Sequence, residues 1–202
     1  MNGVFIHDGH SSHVNYIIIG VGKFALLCAL TSVAAQTSDS IELHSTYKNL
    51  AGYAFEATVP SGFIGHRDAA PAPNHGFAID LSRDGDARIW VDGSYNVLFV
   101  HSARAAAEKS SSWIRERGDI IGSPQFLASR LAGLKAAQMT VRYRDRKAGV
   151  ARVYRAVAAI REWSPEPGGI VYTVCLDTLA ERLAIDEPIW QRVLTSFELL
   201  KQ

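Results

Sequence analysis

The stretch Gly169-Ile-Val-Tyr-Thr-Val-Cys-Leu-Asp177 and the residues after it decide the fold of this chain. Its β-branched and apolar residues predict a buried strand. Thr178 and Glu181 then have the spacing of a capping box, which predicts a short helical turn. Residues 186–188 begin a longer helix, whose apolar residues recur at helical spacing. That stripe comprises Ile189, Trp190, Val193, Leu194 and Phe197. We therefore expect the last helix to close the core against a sheet.

A run of antiparallel strands is predicted before this stretch, from Gln125 onward. Residues 138–146 and 150–162 form a long hairpin in this prediction, with Lys147-Ala-Gly149 as a three-residue loop. A second turn at 164–169 returns the chain into the stretch quoted above. Consecutive turns of this kind favour a meander of neighbouring strands.

Shorter elements are predicted in the first half of the chain. They are strands at 53–59, 77–82, 87–91 and 96–101, a hairpin turn at Asp84-Gly85, a mobile loop at 61–76, and a helix from the N-cap Ser102 to Gly118. Small alanines on one face of that helix indicate close packing on a sheet. Together the elements predict an α+β domain over 51–202, with 36–50 as a lead-in.

The order of these elements resembles the PsbP/Mog1-like domains, in which helices sandwich an antiparallel sheet. The resemblance rests on the strand from Gly169, the helical segment after it, the aromatic-bearing last helix and the ending Ser196-Phe197-Glu-Leu-Leu. Gly52-Tyr-Ala-Phe-Glu-Ala-Thr-Val-Pro-Ser-Gly-Phe63 is similar to the first strand and turn of that family. The resemblance implies a binding or assembly factor, and it carries over no site residue.

Composition and charge exclude several classes of protein. Of 202 residues, 48% are apolar and 20% are charged, which excludes collagen-like, low-complexity and disordered chains. The net charge of +1 gives no bulk attraction to nucleic acid, and we expect no nucleic-acid partner. The chain lacks the short signatures of serine hydrolases, phosphate-binding loops and zinc proteases, and we expect no cofactor.

Residues 1–35 predict a signal peptide. An apolar run from Tyr16 ends in Val33-Ala-Ala35, whose short side chains predict cleavage after Ala35 and therefore a periplasmic or secreted protein without stable membrane insertion. Residues 1–16 carry no Lys or Arg, so a true start nearer Val21 is an alternative. The rival interpretation is an uncleaved anchor over 16–35, which is about the 20 residues that a bilayer requires. Cys28 belongs to this segment.

Cys175 is the single cysteine that follows the predicted cleavage position. It lies within an apolar strand pattern, and burial is the usual state of a free cysteine. We therefore predict a structural thiol, with a catalytic nucleophile as the alternative.

Histidine and acidic residues of the region 61–96 are the weak candidates for chemistry. His66, Asp68 and His75 could converge on a metal ion if the loop folded back, although a solvated loop is the simpler interpretation. Asp92 lies with Ser94, Tyr95 and Asn96 in a segment that could bind a small polar ligand, and turn chemistry explains the same residues. His101 precedes the helix N-cap, where a hydrogen-bonding role is expected.

A run of basic residues on the long hairpin is the candidate partner-binding site. The predicted three-residue loop sets Arg146 against Val150 and Arg144 against Arg152. It thereby gathers five side chains on one face, which are Arg142, Arg144, Arg146, Arg152 and Tyr154. Such a face is either solvated or neutralised by an acidic protein or an anionic envelope component.

These observations predict an exported, non-enzymatic binding or accessory protein of the cell envelope. The alternative is a small envelope hydrolase that uses His and Asp residues of the region 61–96. A pocket that joins those side chains would favour the hydrolase, and a flat polar face would favour binding.

Overall fold

The computed structural model describes residues 40–50, 52–68, 75–98, 100–162 and 168–201. The predicted signal peptide, the alternative start and the alternative anchor lie outside these residues. Within the described residues no helix is both long enough and apolar enough to cross a membrane.

Twelve strands and three α-helices make up the described part of the chain. The strands are β1 Ser40–Leu43, β2 Thr46–Asn49, β3 Phe55–Thr58, β4 Gly65–Asp68, β5 Phe77–Asp80, β6 Arg88–Tyr95, β7 Gly118–Ile120, β8 Gln125–Leu131, β9 Leu134–Asp145, β10 Ala151–Glu162, β11 Gly169–Leu179 and β12 Glu198–Leu199. The helices are α1 Ala103–Ser110, α2 Ile114–Arg117 and α3 Leu183–Ser196, with a 3-10 turn at Ala180–Arg182 before α3.

Nine strands form one antiparallel sheet in the order β1-β4-β5-β6-β11-β10-β9-β7, with β8 also paired to β9. The centre is built from β10 and β11, which pair from Arg152↔Leu179 to Glu162↔Gly169. These strands are buried on both faces, which explains their nearly continuous apolar sequence. The predicted lead-in 36–50 contributes β1 to this sheet and β2 to a second sheet of order β12-β3-β2.

The last helix and the small sheet cover one face of the large sheet. Trp190, Val193 and Phe197 of the predicted apolar stripe are almost completely buried there. Trp190 Nε1 donates to the carbonyl of Val174 at 3.3 Å, which ties the helix to β11. Phe197 stacks on Phe55 of β3 with ring centroids 5.2 Å apart, which ties it to the small sheet. The predicted closure of the core is confirmed.

Helices α1 and α2 cover part of the opposite face. Ser102 accepts a hydrogen bond from the backbone of Ala105 at 3.1 Å, which confirms it as the N-cap. Ala106 and Ala107 are buried against a cluster that includes Val141, Tyr154, Ala156 and Ala158, and their small side chains permit close approach. A turn at 111–113 divides the predicted helix into two, so the chain reaches Gly118 through a second short helix. The predicted α+β fold, with an antiparallel sheet between helices, is confirmed.

Several predicted boundaries were wrong. Residues 96–98 and 100–101 do not lie in a strand, because the side chain of Asn96 accepts from Val100 N and donates to its carbonyl and so closes a turn. The region 61–76, predicted as a loop, contains β4. The last helix begins at Leu183, about one turn before the predicted start at Asp186. The Asp186 carboxylate lies inside the first turn, where it accepts hydrogen bonds from Thr178 and Arg182.

The register of the β9–β10 hairpin also differs from the prediction. Asp145 N donates to the carbonyl of Val150 at 2.9 Å, so four residues form the loop instead of three. The Asp145 carboxylate accepts from the backbone of Lys147 at 2.9 Å and of Ala148 at 3.0 Å, which stabilises this longer loop. Gly149 completes it with a φ of +72°.

This shift of one residue moves the side chains of β10 to the other face. Arg152 now pairs with Tyr143, and Val153 with Arg142. Arg152 and Tyr154 are therefore buried beneath α1 and α2, and placing them on the exposed basic face was wrong.

Candidate functional site

A cleft of about 600 Å³ lies beside α1 and α2 on the face of the large sheet that these helices only partly cover. Its floor is formed by residues of β5, β6 and β11, and its wall by residues of the helices. The residues central to its chemistry are His66, Trp90, Asp92, Trp113, Thr173 and Cys175. A cavity of this volume is typical of small-ligand sites.

The pleat of β6 and its register with β11 determine which side chains form the floor of the cleft. Trp90 and Asp92 are two residues apart on β6 and therefore point to the same face. Cys175 pairs with Trp90, and Thr173 pairs with Asp92. Asp92 thus lies within a continuous strand, and interpreting its segment as a turn between strands was wrong.

A glycine allows the chain to lie close to Asp92. A Cβ atom at Gly76 would stand 1.7 Å from the carbonyl oxygen of Val91, so a side chain there is excluded. The backbone of the preceding residue, His75, hydrogen-bonds to Asp92, and so does the side chain of Ser94. Burial raises the pKa of Asp92, and the charge of His75 and these two hydrogen bonds oppose the rise.

Two tryptophans form an aromatic wall. Trp90 and Trp113 pack edge to face with ring centroids 6.3 Å apart and an interplanar angle of 62°. Trp113 also meets the ring of Tyr154 at 5.6 Å and 85°, which fixes the position of its indole. Both indoles are half-buried and line the cleft.

The arginines at the rim of the cleft are each paired with a carboxylate of this chain. Arg88 Nε lies 2.5 Å from Asp80 Oδ1 on one side of the cleft. Arg117 Nε lies 2.7 Å from the buried Asp145 Oδ2 on the other side. Each guanidinium that lines the cleft therefore already has a carboxylate partner.

The potential nucleophiles of the cleft are engaged in other interactions. Burial raises the pKa of Cys175 to about 11 despite a hydrogen bond from Tyr154, so the thiolate is scarce at neutral pH. The Ser110 hydroxyl donates to the carbonyl of Ala107 at 2.7 Å and lies 2.9 Å from the Tyr154 hydroxyl. The predicted burial of Cys175 is confirmed.

A second cavity of about 290 Å³ adjoins the cleft. The two share Asp92, Ser110 and Thr173, so the Asp92 carboxylate lies where they meet. The second cavity extends under Val97 and Leu98, which are largely exposed.

The predicted histidine and aspartate candidates are distributed around the cleft. His66 lines it, while the ring of His75 packs against Tyr53 with centroids 4.3 Å apart and an interplanar angle of 32°. Asp68 lies in β4, and its side chain is outside what the structure describes. Among the described side chains no group of three His, Cys, Asp or Glu residues could hold a metal ion. His101 is exposed.

The basic face of the hairpin keeps three of its five predicted residues. Arg142 and Arg144 are exposed on the same face of β9, and neither lies within 4.0 Å of a described carboxylate. Arg146 is partly neutralised, because its Nε lies 3.2 Å from Asp119 Oδ1.

Part of the cleft has no recognisable signal in the sequence. The helix predicted from Ser102 to Gly118 includes Trp113, but in the structure this residue belongs to the turn at 111–113 and packs edge to face against Trp90. Arg117 and Thr173 lie in segments whose patterns predict ordinary helix and strand positions. These two residues line the cleft because the helices leave part of the sheet uncovered. The periodicity of the sequence does not indicate which strands the helices cover.

No protein-family model matches the chain, and no curated protein matches it. LpqN of Mycobacterium tuberculosis, described as involved in cell envelope biogenesis, matches with a TM-score of 0.56 and 13% identity over 81% of this chain and 92% of LpqN.

Two further solved structures match over most of their length. The cyanobacterial PsbP of Synechocystis matches with a TM-score of 0.46 and 15% identity, over 78% of this chain and 94% of that one. The Ran-binding protein Mog1p of Saccharomyces cerevisiae matches with a TM-score of 0.45 and 15% identity, over 82% and 97%. At these identities the likeness concerns the fold alone, and the predicted PsbP/Mog1-like fold is confirmed.

Proposed function

We propose that this chain is an exported binding or accessory protein of the cell envelope, and that it binds a small ligand in the cleft beside α1 and α2. The cleft itself is the observation that carries the proposal. It combines an aromatic wall, a half-buried carboxylate and rim charges that are paired with each other, whereas its thiol and its Ser110 hydroxyl are engaged in packing and hydrogen bonds. This arrangement favours binding over covalent catalysis.

Two further observations support the location in the envelope. The segment 16–35 has the pattern of a signal peptide. LpqN, which has the same fold, is described as involved in cell envelope biogenesis.

Native mass spectrometry of protein recovered from its own envelope tests the proposal. We expect a bound small molecule on the wild type. Ala78, which pairs with Trp90 and lines the cleft, provides the blocking variant Ala78→Trp. Ala151 is exposed on a strand outside the cleft, so Ala151→Trp is the matched control. The proposal requires that Ala78→Trp lose the adduct and that Ala151→Trp keep it, and equal occupancy of both variants contradicts it.

The exposed arginines provide a second binding surface in this proposal. Arg142 and Arg144 lie on one face without a described carboxylate partner, which suits an acidic protein or an anionic envelope component. Reversing both to Glu should abolish salt-sensitive retention of envelope components on the immobilised protein. The same reversal at the exposed Arg83 and Arg115 is the matched control and should leave retention unchanged.

One observation favours the hydrolase as a second candidate, because His66 and Asp92 both line the cleft. Turnover of chromogenic ester and phosphoester substrates tests it. Hydrolysis that is lost in both His66→Ala and Asp92→Asn would establish the hydrolase in place of the binding protein.

A further inference from the structure

We infer that the ligand of the cleft is an organic cation, an amine or quaternary ammonium compound whose charged nitrogen lies at Asp92. This inference rests on the proposed function, since it requires that the cleft bind a small ligand. It follows from which charges in the cleft are compensated, from the aromatic wall, and from the position of Asp92 between the two cavities.

The charges lining the cleft leave one carboxylate without an ion-pair partner. Arg88 is paired with Asp80, and Arg117 with Asp145. Within the described residues Asp92 has no ion pair within 4.0 Å and is held by hydrogen bonds from Ser94 and the backbone of His75. Asp92 is half-buried, and partial desolvation of a carboxylate without a cationic partner is costly, so a ligand that supplies the positive charge gains the most from this site.

The aromatic wall also favours a positively charged ligand. Trp90 is two residues from Asp92 on the same face of β6, and the ring of Trp113 meets it edge to face. An ammonium group near indole faces is stabilised by about 0.5 to 2 kcal/mol, whereas an anion is repelled by them. Carboxylate and indoles therefore select a cation together.

Other titratable groups surround Asp92. His75 lies beside it, Tyr53 and Cys175 are electrostatically coupled to it, and His66 lines the same cleft. Lys109 lines the second cavity with Asp92, but it is exposed and forms no ion pair with a described carboxylate. Burial raises the pKa of Asp92, and its protonation would remove the charge that the ligand meets, so affinity should fall as the solution becomes acidic.

The position of Asp92 also limits the shape of the ligand. It lies where the larger cleft and the second cavity meet. A nitrogen at this point can carry one substituent toward the tryptophans and another under Val97 and Leu98. Substituted amines therefore fit better than a compact inorganic cation.

Isothermal titration with three probes of similar shape tests the inference: benzylamine as the cation, benzyl alcohol as the neutral analogue and benzoate as the anion. We expect benzylamine to bind at least about tenfold more tightly than benzyl alcohol, and benzoate to be weakest. Asp92→Asn should remove the preference for the amine, so that benzylamine and benzyl alcohol bind with affinities within about twofold of each other. Asp84→Asn removes the same charge from an exposed turn outside the cleft and should preserve the preference.

The outcomes separate this inference from the proposed function. If benzyl alcohol or benzoate binds as tightly as benzylamine, and Ala78→Trp abolishes that binding, the cleft is a ligand site and the inference is wrong. A preference for the amine that survives in Asp92→Asn overturns it as well. If none of the probes binds in a manner sensitive to Ala78→Trp, the inference fails together with the binding site on which it rests.

Discussion

Arg152 Nη2 lies 2.8 Å from Asp177 Oδ2, and both side chains are almost completely buried next to the cleft. The Tyr143 hydroxyl joins the pair, since it accepts from Arg152 Nε at 2.9 Å and donates to Asp177 Oδ1 at 2.9 Å. Burial would lower the pKa of Arg152, but the hydrogen bond and charge of Asp177 raise it, so the guanidinium stays charged. A network with these partners satisfied holds β9, β10 and β11 together at one end.

Removing one member of this pair should destabilise the fold strongly. Arg152→Ala leaves Asp177 buried without its cation, at a cost of about 3 to 5 kcal/mol in the free energy of unfolding. Urea denaturation measures the change. Arg144→Ala, at an exposed position on the neighbouring strand, is the control and should cost less than about 0.5 kcal/mol. Equal costs for the two variants would show that Arg152 is solvated.

Trp190 should be a major contributor to stability. Its indole is completely buried between α3 and the sheet. Trp190→Ala leaves a large cavity and should lower the free energy of unfolding by about 3 to 5 kcal/mol. A fall in the thermal midpoint of less than about 2 °C would contradict this packing.

Asp92 should lower the stability of the unliganded protein at neutral pH. The pKa of Asp92 is raised in the folded state, so as the pH increases this carboxyl ionises first in the unfolded chain. Ionisation then stabilises the unfolded chain relative to the folded state. The penalty is absent below the ordinary carboxyl pKa of about 4 and complete above the raised value. Asp92→Asn should therefore raise the urea midpoint at neutral pH, and this advantage should vanish in acid. A variant that is less stable than the wild type at neutral pH would contradict the direction of the shift.

Cys175 should be unreactive in the folded protein. The thiol is buried and its pKa is raised to about 11, both of which oppose alkylation. Maleimide labelling followed by mass spectrometry should detect modification of Cys175 only after denaturation. Rapid labelling of folded protein would support a nucleophilic role.

The mature protein is predicted to begin at Gln36. Small residues at Val33 and Ala35 motivate this prediction, which concerns residues outside those that the structure describes. N-terminal sequencing of protein from its native envelope decides it. Recovery of an intact segment 16–35 would establish the anchor instead.

The sequence predicted the layers of the fold better than the register of the strands. Burial leaves a recognisable pattern of apolar residues in the sequence. This pattern is seen in the helical spacing of Trp190 and Phe197 and in the apolar runs of β10 and β11. The β9–β10 register was missed because it depends on the Asp145 carboxylate bonding to the backbone of the loop. A local hydrogen bond of this kind leaves no periodic pattern, yet it decided which face Arg152 occupies.

The candidate site was predictable only in fragments. Asp92 and His66 were identified by residue type, and both line the cleft. Their convergence depends on the long-range pairing of β4, β5, β6 and β11, and on how much of the sheet α1 and α2 cover. Trp113 joins them from a separate part of the chain, so spacing along the sequence could not have associated it with Trp90.

The most direct test of the ligand site is the NMR spectrum of the indole N–H groups. Variants Trp90→Phe and Trp113→Phe assign the two cleft signals, and the buried Trp190 on the opposite face of the sheet serves as an internal reference. Adding the small-molecule fraction of the native envelope should shift the signals of Trp90 and Trp113 and leave that of Trp190 in place. If both cleft signals stay unchanged while the protein remains folded, the cleft is not the binding site.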